Sequence, residues 1–400
     1  MRDDIEGFLD LYESHDYFVF DTETTLIDKD KSVYAYPPEF ILGVAYNRFL
    51  IGFSDEDRYS KCGDKIYLNK FFTSGPLNKF ITVGHNLPFD LLIIGINNPA
   101  KLEGFYWDTA IAEYEMYAQH SLYPSLQSLA DKYCPGEYKE SSVSEMIKSG
   151  VCPKDIPKDL LEEYCKQDVN LTNKIFIAQM EQFKLYPKNL QNLILQRMKY
   201  RMITHEMSCN GMMMDREMID NANSSLASVE GVFHASLVSL MSSCMPFAPI
   251  QDINPNSSQQ LSGTLFGVGT YKVKKNHPTG EVYKSGPRKG EPKTRIVENE
   301  HHYMRHFAPK GILIRNYSTS EENLLEIQKS CRGAPADSFI ELILGYRKVV
   351  KERVTYFKGY SEIARDGDPY ISIHTEFKHS STPTGRISSA KPNIQNLKSD

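Results

Sequence analysis

Residues 17–25 read YFVFDTETT, an aromatic and β-branched run that passes directly into two carboxylates separated by one threonine. Such a run predicts a buried strand that carries polar groups out at one end. Side chains alternate along an extended chain, so Asp21 and Glu23 share a face and point at one spot, while Thr22 points the other way. Working outward, FILGVAYNRFLIGF (40–53) reads as a hairpin and KFITVGHN (79–86) as a further strand. Helical spacing begins at LPFDLLIIGI and is sustained in LLEEYCKQDVNLTNKIFIAQMEQF (160–183). Strands interleaved with helices predict an α/β domain ending near Pro187.

Two further stretches bring candidate ligands to the same chemistry. Asp90 lies in the apolar run VGHNLPFDLLII, where an unpaired buried carboxylate costs several kcal/mol. A metal ion would remove that cost, and a helix N-cap would also satisfy it. In the 160–183 helix, Tyr164 and Asp168 stand at i and i+4, one turn apart on one face. Carboxylate oxygens are the hard donors that Mg²⁺ and Mn²⁺ take.

The three patterns, DTE at 21–23, NLPFD at 86–90 and YCKQD at 164–168, resemble in order and separation the exonuclease motifs of the DEDD superfamily, and the likeness spans roughly residues 15–185. Tyr164 identifies the tyrosine subtype; the histidine subtype has its histidine where this chain has Glu163. The resemblance implies an RNase H-like fold, a mixed sheet with flanking helices. It also implies that Asp21, Glu23, Asp90 and Asp168 hold two divalent cations, Mg²⁺ or Mn²⁺. A pair of ions about 3.5–4 Å apart can activate water and stabilise a departing 3′ oxyanion. By the same resemblance Tyr164, with Glu23, orients the attacking water, and Asn86 and Thr24 lie near the terminal nucleotide. His85 and Trp107 are read as structural.

A second signature closes the chain: Thr384-Gly385-Arg386-Ile387-Ser388-Ser389, then Pro392-Asn393-Ile394-Gln395-Asn396. Arg386, Asn393, Gln395 and Asn396 are donors able to reach the minor-groove acceptors common to all base pairs, and a loop cap built of Asn and Gln is the other reading. The segment resembles the TGR(L/I)SS…PN(L/I)QN stretch that leads into the palm of family A DNA polymerases. NPNSSQQLSGTLF (254–266), STSEENLLEI (318–327) and GYRKVVKERVTY (345–356) are similar to the thumb and neighbouring helices of that family. This places Arg347 and Lys351 near a primer–template, with a solvated helix face as the plainer reading. The expected organisation is therefore an exonuclease domain over 1–187, a mainly helical thumb-like region over 188–365, and the start of a palm over 366–400. Lys398 stands where the family commonly has proline. The palm aspartate motifs and the fingers helix are not among these 400 residues, and the front of the sequence does not read as a separate 5′ nuclease domain, so the shorter architecture of phage-type enzymes is expected. Nucleotide addition is accordingly expected only if a partner chain or further sequence supplies those parts.

Composition bounds the rest. With 40% hydrophobic and 24% charged residues, the chain has material for two or three globular domains. No run approaches the roughly 18–20 apolar residues of a membrane span, and MRDDIEGFLD lacks the layout of a signal peptide, so a soluble, cytoplasmic protein is expected. Seven scattered cysteines without a CxxC pair indicate neither a zinc site nor a disulfide framework. Residues 1–60 hold 14 Asp/Glu against 5 Lys/Arg, a net of −9, whereas 272–295 hold 8 Lys/Arg against 2 Glu, a net of +6. An acidic front suits cations and a basic stretch suits phosphate. The Gly-, Pro- and Lys-rich segment 267–318 is expected as an exposed, irregular insertion, with order resuming at a Thr319/Glu322 capping box. The expected partners are DNA, as a single-stranded 3′ end and as primer–template duplex, with a second polymerase chain or a processivity factor. Two other functions stay open: a non-catalytic DNA-binding and assembly subunit of a split polymerase, and a stand-alone RNA-trimming nuclease.

Overall fold

The structure is a computed structural model, and it describes residues 2–46, 59–61, 80–99, 104–137, 141–282, 292–308, 317–360 and 369–395. The chain packs as two units, the first made of residues 1–215 with 363–400 and the second of 216–362.

Helix α1 (Arg2–Glu13) leads into β1 (Tyr17–Thr24), the strand expected from YFVFDTETT. It is followed by β2 (Phe40–Tyr46), β3 (Tyr59–Lys61), β4 (Ile81–Gly84), α2 (Leu87–Ile93) and β5 (Phe105–Asp108). The strands form one mixed sheet in the order β3-β2-β1-β4-β5, with β1, β2 and β3 antiparallel and β4 and β5 parallel to β1. The second half of the expected 40–53 hairpin lies outside the described residues. β1 is buried along nearly its whole length, which is why its sequence reads as a continuous apolar run rather than an alternation.

Four helices complete this part of the unit: α3 (Thr109–Met116), α4 (Leu126–Tyr133), α5 (Ser141–Lys148) and the 28-residue α6 (Lys158–Leu185). α6 packs across β1, β2 and β4, presenting Leu161, Cys165, Asp168, Val169, Thr172 and Phe176 at three- and four-residue spacing. Phe8 of α1 stacks on Trp107 at 5.5 Å between ring centroids, and Phe183 of α6 meets Trp107 edge-on at 5.3 Å. Each such fully buried aromatic contributes about 1.5–3 kcal/mol through burial alone. Helix α7 (Lys188–Asn210) packs on α3 and β5, so the expected boundary at 187 falls between two helices of one unit. Strand β6 (Met212–Asp215) ends this first pass.

The second unit holds the 29-residue α8 (Arg216–Cys244), α9 (Ser258–Phe266), the strands β7 (Thr270–Val282) and β8 (Pro292–His302), then α10 (Glu321–Ser330) and α11 (Pro335–Glu352), which passes into a π-helical turn over Arg353–Lys358. β7 and β8 pair antiparallel over Thr270–Pro278, so the segment expected to be irregular is a long ribbon. Its core side is supplied by Tyr271 and Val273, buried with Met245, while Lys272 and Lys274 face out. That alternation has period two, the mark of a half-buried strand, hidden in the sequence by the density of lysine. The expected capping box is displaced by one residue: Ser320, not Thr319, caps α10 by accepting from the Asn323 amide.

The chain then re-enters the first unit through β9 (Tyr370–Ile373), β10 (Glu376–Lys378) and β11 (Ser388–Ala390). β9 pairs antiparallel with β6, and β10 with β11.

Candidate active site

The site forms where β4 stops short of β1. The parallel pairing of β1 with β4 runs only to Val19 and Val83, so the Thr22 amide lies beyond it. The chain leaves β4 at Gly84, where a Cβ would come within 2.9 Å of the Leu87 side chain. It then turns through Asn86, whose φ of 61° is the left-handed conformation that asparagine tolerates best after glycine. This turn launches α2, and one turn into it Asp90 reaches back to β1. Asp90 Oδ1 accepts from the Thr22 amide at 2.9 Å and from the Thr22 hydroxyl at 2.7 Å. Thr22 therefore serves Asp90 from one face of β1 while Asp21 and Glu23 occupy the other, as strand alternation requires.

Asp108, at the end of β5, organises the same corner. Its carboxylate accepts from the amides of Asn86 and Leu87, each at 3.1 Å, and from Ala110 at 3.0 Å as the N-cap of α3. One buried side chain thus anchors the starts of two helices.

From the opposite side α6 contributes its buried face. Tyr164 is buried in the main core, and Asp168 is only 4% exposed. Between them, the Cys165 thiol donates toward Asp21, lying 3.6 Å from its carbonyl oxygen and 3.7 Å from Oδ2. Ligand atoms of Asp21, Glu23 and Cys165 all lie within 4.8 Å of one another. The electrostatics mark a convergence of negative charge. Burial, and then the charge of Asp21, hold the Asp90 carboxyl well above the usual carboxylate range. Burial followed by the charges of Asp21, Glu23 and Asp168 push the Cys165 thiol up. Carboxylates crowded at low solvent exposure repel one another unless a cation stands between them.

Beside this cluster is a cavity of about 390 Å³ lined among others by His85, Asn86, Arg201, Lys378 and His379. Arg201 of α7 donates to Asn86 Oδ1 at 3.0 Å and to the Phe377 carbonyl at 3.0 Å, tying the Asn86 turn to β10. His85 bonds the Thr109 hydroxyl through Nδ1 at 2.9 Å. Thr24 ends β1 just past a bulge, its hydroxyl donating to the Thr25 carbonyl. Trp107 is fully buried and donates to Gln179 at 2.9 Å.

The second signature folds around β10 and β11. Ser389 Oγ donates to Asn393 Oδ1 at 3.0 Å and accepts from the Ile394 and Gln395 amides, closing the PNIQ turn. Thr384, Arg386 and Gln395 are exposed, and Asn396 lies outside the described residues. The Gly385 carbonyl accepts from Arg197 at 3.2 Å, and the Thr382 carbonyl from the Tyr114 hydroxyl at 2.6 Å, so this loop is held by α7 and α3 of its own unit. In the second unit, Arg347 donates from both NH groups to Thr319, while Lys351 is exposed on α11.

Thr22, Asp108 and Arg201 are absent from the sequence-derived site. Their partners lie 68, 22 and 115 residues away along the chain, beyond any local pattern. Only the strand-to-helix junction WDTA around Asp108 carries a local signal, that of an N-cap.

Comparison with known proteins bears on the same segments. The family described as DNA polymerase family A matches residues 300–400. The last quarter of this chain is thus similar to the family A DNA polymerases. It is 23% identical over 407 residues to DNA polymerase I of Borreliella burgdorferi, covering 98% of this chain and 36% of that protein. With DNA polymerase I of Synechocystis it shares 22% identity over 312 residues, 78% of this chain and 26% of that protein. DNA polymerase I of Bacillus subtilis is 35% identical over 81 residues, 20% of this chain and 8% of that protein. The chain thus spans about a third or less of the length of these relatives. Among solved structures it is similar to the POL domain of Pol1 from M. smegmatis in complex with DNA primer-template and dNTP, with a TM-score of 0.56 at 18% identity over 98% of this chain and 55% of that one. At that identity the likeness speaks to fold. No helix among the described residues is long and apolar enough to cross a membrane.

Proposed function

We propose that the first unit is a two-metal 3′-to-5′ exonuclease that trims DNA ends in the service of a family A DNA polymerase. The observation that supports this reading is the grouping of Asp21 and Glu23 beside Cys165, within 4.8 Å, with Asp90 and Asp168 near enough for charge to act among them. There the charge of Asp21 bears on Asp90, and the charges of Asp21, Glu23 and Asp168 bear on one thiol. The sheet order β3-β2-β1-β4-β5, with its first three strands antiparallel, supports an RNase H-like assignment.

The donor set fits Mg²⁺ or Mn²⁺, being rich in hard carboxylate oxygens. Asp21, Glu23, Asp90 and Asp168 would hold two such ions, which supply an activated water and neutralise the departing 3′ oxygen. The remaining work falls to the chain. Thr22 fixes the Asp90 carboxylate by two hydrogen bonds, so its orientation is set before a substrate arrives. Tyr164, one turn before Asp168 on α6, would orient water together with Glu23. Asn86, held by Arg201, and Thr24 would contact the terminal nucleotide. The exposed Arg386 and Gln395, with Thr384, Asn393 and Asn396, are assigned to duplex DNA, as are Arg347 and Lys351 of the second unit. Template-directed nucleotide addition would draw on palm and fingers groups that are not among these 400 residues, from a partner chain or from further sequence.

The test is digestion of a 5′-labelled primer–template in Mg²⁺, with and without dNTPs. Stepwise shortening in both conditions is expected, falling about 10²-fold or more in Asp21→Ala and Asp168→Ala while the folded spectrum is kept. Undiminished trimming in both variants would falsify the assignment. No trimming by the wild-type chain would favour a DNA-binding and assembly role instead.

A further inference from the structure

Six residues other than glycine take a left-handed backbone among the described residues, and three of them, Asn86, Tyr123 and Lys391, line the cavity of about 390 Å³ beside the carboxylates. Asparagine tolerates that conformation, whereas a bulky aromatic residue at a φ of 48° is an outlier. Pro124 follows, and proline steers the residue before it toward extended backbone. Packing does not offset the strain. The Tyr123 side chain is 59% exposed and makes no hydrogen bond or ring contact among the described residues. Only its backbone is held, the amide donating to the Ser380 carbonyl at 3.1 Å. Strain of this kind clusters at ligand clamps, where it positions a group that packing alone would not. The cavity supplies companions for such a group. Arg201 and Lys378 line it with Tyr123, and Lys378 has no acidic partner among the described residues. Of the two acids there, Asp108 accepts from the amides of Asn86, Leu87 and Ala110, and Glu376 pairs with Lys391 at 3.4 Å. An exposed aromatic face beside such cations is the arrangement that takes single-stranded nucleic acid, with bases on the ring and phosphates on the cations.

We propose that Tyr123 is a stacking platform for a base of single-stranded DNA entering the exonuclease site, and that it selects frayed 3′ ends over paired ones. The choice of DNA 3′ ends as the ligand rests on the nuclease reading above. A paired base is stacked between its neighbours and meets a protein ring only after it leaves the duplex, whereas a frayed base offers its face without that cost. Every base has such a face, so the platform is indifferent to sequence. Glycine at this position would relieve the backbone and remove the ring, whereas alanine would remove the ring and keep the strain. Stability and binding are therefore separable at one residue.

The experiment uses the full 400-residue protein in EDTA, where metal-dependent trimming cannot run. It reads the anisotropy of a 5′-labelled oligodeoxynucleotide, single-stranded or annealed as a blunt duplex, beside the quenching of 2-aminopurine placed near the 3′ end of the single strand. The wild type should bind the single strand and quench the base analogue. Tyr123→Ala and Tyr123→Gly should each weaken single-strand binding about tenfold and abolish the quenching, with duplex binding unchanged. Tyr123→Phe should keep both, because the ring and not the hydroxyl is the platform. In urea, Tyr123→Gly should unfold later than Tyr123→Ala, so that lost binding does not follow lost stability. Single-strand binding undiminished in both truncated variants overturns the inference. So does a Phe variant as weak as the Ala variant, or a loss of binding that tracks the urea midpoint across the series. Trimming of the primer–template by the wild type in Mg²⁺, run alongside, reports on the nuclease reading separately. Trimming that persists while binding ignores Tyr123 overturns this inference alone; Tyr123-dependent binding without any trimming supports the platform and overturns the nuclease reading.

Discussion

His205 lies wholly inside the first unit, and its hydrogen bonds set its tautomer. Nε2 donates to the Ile96 carbonyl at 2.8 Å, which leaves Nδ1 to accept from the Tyr34 hydroxyl at 3.2 Å. Burial, with a smaller effect of the Arg201 charge, drives its pKa down from 6.5 to about 4, and His379 is likewise driven down to about 3. The unfolded chain therefore binds protons first on acidification. Stability is full above pH 6.5 and is lost as pH falls toward 4, by on the order of 3 kcal/mol for His205 alone. Urea midpoints measured between pH 7.5 and 4.5 should fall below pH 6.5, less steeply in His205→Gln; a flat profile would contradict the buried neutral ring. At this scale the grouping of Asp21 with Glu23, and the inward placing of Tyr164 and Asp168, were legible because strand and helix geometry put residues at those spacings on single faces. His205, Asp108 and Arg201 were not, since each takes its meaning from a group remote in the chain.

Among the elements, β1, α2 and α6 follow their apolar periodicity, and the lysine-rich ribbon does not, because its buried positions are only Tyr271 and Val273 among charged neighbours. The ribbon also alters the meaning of its charge. Lys272 and Lys274 share the single Glu298 carboxylate at 3.4 Å, so one unit of the positive charge counted there is offset locally before any phosphate arrives. The segment that follows β8 is seated on α9 through Gly263, where an added methyl would overlap the ring of Tyr303. Alanine favours a helix over glycine by up to about 1 kcal/mol, whereas forced overpacking costs about 1–3 kcal/mol. Overlap wins, and Gly263→Ala should lower stability by about 1–2 kcal/mol. Gly231 in α8 has open space around its Cβ position, so Gly231→Ala should raise stability by up to about 1 kcal/mol. Denaturant titrations of the two variants should move in opposite directions; the same sign in both would show that helix propensity alone decides.

The whole molecule is ordered by one connection. β6 ends at Asp215, opposite Tyr370 where β9 begins, so residues 216–369 leave and rejoin the first unit at neighbouring backbone positions. Replacing them with an Asn-Gly turn should give a chain that folds as the first unit alone, with Trp107, the one tryptophan of the sequence, as its fluorescent reporter. A fragment ending at residue 215 lacks β9 and the hydrogen bonds that Tyr114, Arg197, Arg201 and Thr204 make to residues 377–385. It should be less stable than the turn-linked chain by roughly 4 kcal/mol, at about 1 kcal/mol for each of these four. Equal urea midpoints would show that the returning strands add nothing. This reconnection was not legible in the sequence: the boundaries expected at 187 and 365 follow changes of local pattern, and pairing between β6 and β9 is not local.

The same connection imposes a schedule on synthesis. A ribosome working at about 5–20 residues per second spends roughly 8–30 s on the stretch between Asp215 and Tyr370. Throughout that interval the nascent first unit waits for the strand that pairs with β6, and the time at which it becomes complete is set by the translation of a segment that belongs to the other unit.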